Sequence, residues 1–227
     1  MDPVTAESAE AALHSMSLVD RYIAGGVFMH PIALLGIIAL IIIIERLITL
    51  YVKTKFDKGQ ILSEARNAIY SGRLVMVGQT MIHQIIQAGF QAFDRSQKES
   101  EVQLAIDAAA TKHFPTVEKR TPYLTMIANI TTLLGLLGTI SGLIVSFAGA
   151  AQADAATKAT LLAEGISEAM NCTAFGLCVA IPCLLAFAFL QGRTQRILDD
   201  VNEVVLEAMN FVVIHREKIK TGKGESA

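Results

Sequence analysis

Thr139, Thr173 and Glu168 are the polar side chains of this sequence placed to line a path through an apolar layer. A hydroxyl donates one hydrogen bond and accepts others, so two at one depth can hold each other or a water. No Asp, Glu, Lys or Arg lies between Arg120 and Asp154, or between Glu168 and Arg193. Glu168 stands at the edge of such a stretch, where an ionisable group is costly unless it faces water or a partner. The plainer readings are that each threonine bonds its own helix carbonyl and that Glu168 reaches up to water at the interface.

Depth favours the pair. Counting inward from boundaries near Ala150 and Glu164 puts Thr139 about 16 Å deep, Thr173 about 14 Å and Glu168 about 6 Å, at a helical rise of about 1.5 Å per residue. In a hydrocarbon layer roughly 30 Å thick, the two hydroxyls share the midplane. No carboxylate sits at that level. If protons cross here, the central protonatable group comes from another protein or from water.

The same stretches carry small residues at helical spacing. Gly138, Gly142, Ser146 and Ala150 recur every fourth position, with Gly135 on the same side. Ala169, Cys172 or Thr173, Gly176 and Ala180 form a comparable strip. Such small-xxx-small tracks let two helix backbones approach closely. A hairpin zipped on itself, with no path for anything, is the rival meaning of that pattern.

The elements that must position these residues are membrane helices. The chain has 227 residues, 52% of them hydrophobic, and a mean hydropathy of +0.47. The apolar residues come in blocks long enough to span a bilayer, which excludes an ordinary soluble domain. A net charge of only -2 excludes nucleic acid as the expected partner. The predicted class is all-α: a polytopic membrane protein with three transmembrane helices and a helical cytoplasmic domain.

Residues 1–26 are read as an outer segment with a short amphipathic helix over Glu7 to Ile23, which Ser8 caps. They do not have the basic start of a signal peptide. The first span takes 27–52, opening near Pro31 and closing at Glu45-Arg46 and Leu47 to Val52. A polar domain follows at 53–122, with helices expected over Phe56 to Tyr70, Leu74 to Phe93 and Glu99 to Phe114, and Pro115 and Pro122 marking kinks or starts. The second span takes 123–150, a short link 151–163, the third span 164–190, and a helical tail 191–227.

Other chemistry is missing from the pattern. Cys172, Cys178 and Cys183 all fall within one span and read as small packing residues. The five histidines have no ligand spacing, no glycine loop precedes a Lys, and no Ser or Cys nucleophile has a base nearby. No enzyme, cofactor or metal is expected. Basic residues set the orientation: Arg21 alone precedes the first span and Lys158 alone lies in the link. Apart from Arg46 at the end of the first span, the middle domain and tail hold the remainder, so they are expected in the cytoplasm and the N-terminus outside.

At these residues the chain resembles the MotA/TolQ/ExbB proton-channel family, nearest to its three-span ExbB/TolQ branch. The matching runs are LLGLLGTISGLIVSF (Leu133 to Phe147), GISEAMNCTAFGLCVAIP (Gly165 to Pro182) and Glu45-Arg46 after an Ile-rich span. Where the family often has Pro before the LLG run, this chain has Thr132. The resemblance implies a pentamer in the bacterial inner membrane around single-span ExbD/TolR-like partners. A partner aspartate would exchange protons beside Thr139 and Thr173, with Glu168 at the family's charged position on the third span. It implies a motor driven by the proton gradient. Two rivals remain: a membrane scaffold that only holds other proteins, and an ion channel acting alone.

Overall fold

This computed structural model describes residues 22, 25–53, 56–71, 74–76, 78, 80–96 and 98–215. Among the described residues there is no strand. The helices delimited among them follow in order: α1 (Met29–Ile48), prolonged by a π-helical turn at Thr49–Lys53; α2 (Lys58–Tyr70); α3 (Met81–Ser96); α4 (Glu99–Glu118); α5 (Thr121–Gln152); and α6 (Ala155–Ile214). The described residues divide into two units, one holding those up to Glu45 with Arg120–Ala188, the other those of Arg46–Lys119 with those from Phe189 to His215.

The first unit is built from helices that are apolar nearly all round. Leu34, Ile37, Leu40, Ile41 and Ile44 of α1 are exposed, as are Leu133, Ile144, Val145 and Phe147 of α5 and Ile181 and Leu185 of α6. A helix greasy on every side needs either a large core or lipid around it. Among the described residues three helices are long and apolar enough to cross a membrane: Met29–Tyr51, Thr121–Gln152 and Ala155–Ile214.

The ends of the hairpin have local causes. Arg120 adopts a left-handed φ of 69°, which turns the chain into α5, with Pro122 in its first turn. Proline suits that first turn because its absent N–H would have had no helical partner. The Arg120 guanidinium donates to the Glu45 carboxylate at the end of α1. At the far end Asp154 accepts the Thr157 N–H at 2.8 Å and its hydroxyl, and so caps α6. Those two bonds, hydroxyl first, hold the Asp154 carboxyl below its ordinary value.

The second unit has a conventional core. Ile61, Ile69, Ile82, Ile85, Ile86, Phe90, Val201, Val204 and Val212 are all buried. Helices α3 and α4 pack against one another. Around this core Lys58 of α2 reaches Asp200 and Glu203 of α6, both at 2.6 Å, and Arg66 reaches Glu207 at 3.1 Å.

The structure corrects four boundaries read from sequence. Leu74–Met76 is not helical, and α3 starts only at Met81. The Gln87 side chain satisfies that stretch instead, accepting the Met76 N–H at 2.6 Å and donating to the Leu74 carbonyl at 3.3 Å. Helix α4 runs past Phe114 to Glu118 with Pro115 inside it. The link expected over Gln152 to Ala163 is helical from Ala155, because Asp154 caps an alanine-rich sequence of high helix propensity. The third span and the tail helix, read as separate, are one continuous helix, with Pro182 inside it. The amphipathic helix expected over Glu7 to Ile23 lies outside the described residues except for Tyr22, as does the end of the tail from residue 216.

Candidate functional site

Helices α5 and α6 meet along a seam of small residues. Thr131, Gly135, Gly138, Gly142, Ser146 and Ala150 are the buried residues of the apolar part of α5 from Thr131 onward. A Cβ added to Gly135 would lie 3.3 Å from the Thr173 Cα, and one on Gly176 would lie 2.8 Å from the Thr131 carbonyl. At Gly142 the same atom would lie 3.2 Å from the Ala169 Cβ. At Gly138 it would collide with the Cys172 sulfur, and at Gly165 with the Ser146 hydroxyl. Glycine is needed along this line because a neighbouring helix stands where a side chain would be.

The hydroxyls of the seam are bound in two ways. Thr131 donates within α5, to Ile127 at 2.9 Å or Ala128 at 3.0 Å, and Ser146 donates to Gly142 at 2.7 Å. Thr139 is half-buried and likewise donates to its own helix, to the Leu136 carbonyl at 2.6 Å. Thr173 is different: its hydroxyl crosses to α5 and donates to the Gly135 carbonyl at 3.0 Å. In an α-helix that carbonyl also receives the N–H four residues on, which belongs to Thr139. The two threonines therefore do not bond side chain to side chain; they are joined through one shared peptide oxygen. Each hydroxyl oxygen keeps lone pairs free to accept a further proton donor.

Glu168 is exposed. One of its carboxylate oxygens lies where a Cβ on Gly26 would be. Gly26 has a φ of +71° and belongs to the turn that leads into α1. Beside it, the Phe28 Cβ would lie 3.5 Å from a Cβ on Gly138. Tyr22 bonds the His30 ring at 2.5 Å and meets the Phe175 ring edge-on, 6.0 Å between centres. Among the described residues no group of three or more His, Cys, Asp or Glu is placed to hold a metal ion.

The sequence pattern of the MotA/TolQ/ExbB proton channel family matches residues 78–203, a stretch that contains Thr139, Glu168, Thr173 and the whole seam. The chain is 31% identical over 195 residues to the putative biopolymer transport protein ExbB-like 1 of Synechocystis, covering 80% of this chain and 74% of the relative. This chain belongs to the MotA/TolQ/ExbB proton channel family. Among other relatives, the Tol-Pal system protein TolQ of Haemophilus influenzae is 27% identical over 72% of this chain and 73% of its own length. The biopolymer transport protein ExbB of Salmonella typhimurium is 40% identical over a shorter region, 37% of this chain and 35% of the relative.

Membership makes the chain a multi-pass membrane protein of a channel family, not of an enzyme family. The structure also shows what the sequence reading left out of the packing track and of the Glu168 surroundings. Thr131 lies on the seam one turn before Gly135 and is fully buried, and its spacing from Gly135 is the signal that continues the track. The contact of Gly26 with Glu168 joins residues far apart in sequence, and nothing in the local pattern announces it.

Proposed function

We propose that the chain is the proton-conducting subunit of an energy-transducing complex in the bacterial inner membrane. It works with a single-span ExbD/TolR-like partner that carries an aspartate within the membrane. Three candidate spans, none with a charge at mid-span, support a division of labour. This chain supplies hydroxyls and close-packed backbone; the partner supplies the acid. Thr139, Thr173 and Glu168 line the proposed route, and Gly135, Gly138, Gly142, Ser146 and Gly176 hold the hairpin that carries it. Several copies, five by family resemblance, would surround the partner, with the N-terminus periplasmic and the tail cytoplasmic.

One observation carries the reading: the Thr173 hydroxyl donates to the Gly135 carbonyl, which by helix geometry also receives the Thr139 N–H. A partner acid approaching that junction finds two hydroxyl oxygens still able to accept a hydrogen bond. The partner's protonated carboxyl can donate a hydrogen bond to either oxygen, so the acid rests neutral at mid-membrane and no charge is left alone in lipid, which would cost several kcal/mol; its proton comes from water and returns to water.

The second reading is a scaffold that conducts nothing. It is favoured by the fact that both hydroxyls already donate to carbonyls. Co-expression with the partner, purification and a proton-flux assay in vesicles separate the two. Flux that needs the partner and is lost in Thr139→Val and Thr173→Val supports conduction. An intact complex with no flux, or flux indifferent to both substitutions, supports the scaffold.

A further inference from the structure

Gly26 lies outside the region matched to the family, yet it touches Glu168, the ionisable residue at the edge of the charge-free part of α6. Two features there are independent. Its φ of +71° lies in the left-handed region that side chains rarely adopt. Its missing Cβ leaves the space that the Glu168 carboxylate fills: a Cβ there would lie 2.9 Å from Cδ of Glu168 and nearer still to Oε1. The turn is also tied down on either side. Gly25 donates its N–H to the Tyr22 carbonyl at 3.3 Å, and Met29 donates to the Gly26 carbonyl at 3.2 Å. Phe28 packs toward Gly138, whose own missing side chain is filled by Cys172.

We infer that Gly26 is a positioning residue for Glu168. The turn before α1 presents bare backbone to the carboxylate, so the acid can lie directly against the turn. A side chain at position 26 would push it away. The glycine thus decides how closely the carboxylate of α6 rests against that turn. This inference rests on the proposed role of Glu168 only for its consequence in proton flow; the geometry of the carboxylate stands without it.

The test reads the carboxylate directly. Full-length protein in membranes, co-expressed with its partner, is treated with a membrane-soluble carbodiimide, and modification of Glu168 is followed by mass spectrometry of its peptide. Proton flux is measured on the same preparations. Gly26→Ala adds both a Cβ and an unfavourable φ; Gly26→Asn adds the Cβ but tolerates the left-handed backbone. Both should change the rate of Glu168 modification by about threefold or more, and alike, because both displace the carboxylate. Unchanged modification in both variants, or a change in Gly26→Ala alone, overturns the inference, since backbone strain would then be the whole effect. Changed modification with unchanged flux upholds the positioning by Gly26 and removes Glu168 from the proposed route. Should Gly26→Ala fail to accumulate, Gly26→Asn alone decides the matter by the same readout.

Discussion

The Thr173 hydroxyl donates to the Gly135 carbonyl across the α5–α6 seam at 3.0 Å. Thr131, Thr139 and Ser146, by contrast, all donate within α5. Interhelical bonds such as that of Thr173 are worth about 0.6 to 2 kcal/mol in a membrane. Thr173→Val should therefore weaken the hairpin slightly and depress proton flux about tenfold or more, whereas Thr173→Ser, which keeps the hydroxyl, should retain most of both. Flux in vesicles and the melting temperature in detergent are the measurements. Equal flux for Val and Ser would remove the hydroxyl from the mechanism.

Gly176 and Gly192 lie on the same helix and should respond in opposite directions. A Cβ on Gly176 would lie 2.8 Å from the Thr131 carbonyl, while one on Gly192 meets nothing within 4 Å. Gly176→Ala forces the helices apart and should cost about 1 to 3 kcal/mol. Gly192→Ala should be neutral or stabilising by up to about 1 kcal/mol, from helix propensity alone. Thermal melts of the two purified variants decide it, and a stabilised Gly176→Ala would contradict the packing described.

Arg120 combines a φ of 69° with a bond to Glu45. Arg120→Gly loses a partly exposed ion pair worth about 0 to 1 kcal/mol. It also relieves a left-handed backbone that costs about 1 to 2 kcal/mol. Arg120→Ala loses the pair and keeps the strain. The expected order of stability is Gly at least equal to Arg, and both above Ala; Ala equal to Gly would show that the turn is unstrained.

Glu64 gives the polar unit an acid-sensitive bond. Its carboxylate meets His83 at 2.9 Å, and that bond first, then one from Gln60, holds it below the ordinary value of 4.5. A carboxylate depressed on folding contributes stability that is fully present above its unfolded pKa and is lost as pH falls through its folded pKa. Unfolding followed from neutral pH down past 4.5 should show this loss, and Glu64→Gln should reduce it. An unchanged acid limb in that variant would mean that the bond carries no linkage.

Much of this architecture is legible in the sequence because membranes impose long, uniform signals. Charge-free runs around Thr139 and Thr173 and the glycine spacing need only local reading, and the family runs carry the rest. Boundaries fail where a distant side chain intervenes. Leu74–Met76 looks helical by its apolar residues, but Gln87 satisfies its backbone from the next helix. The stretch after Asp154 looks like a link because it is polar, yet its alanines and its cap make it helix. At the site, the depth count brings Thr139 and Thr173 level but gives no direction for either hydroxyl. That direction depends on which carbonyl is in reach once the helices have docked. Gly26 is silent for the same reason, since its role exists only against Glu168.

The closeness of the two backbones at Gly135, Gly142 and Gly176 has a final implication. Peptide planes separated by so little exclude a file of water between them. On the proposed mechanism, an ion relay cannot thread the inside of this hairpin; it must skim the flank where Thr139 stays half uncovered, and that flank is free to face a moving neighbour.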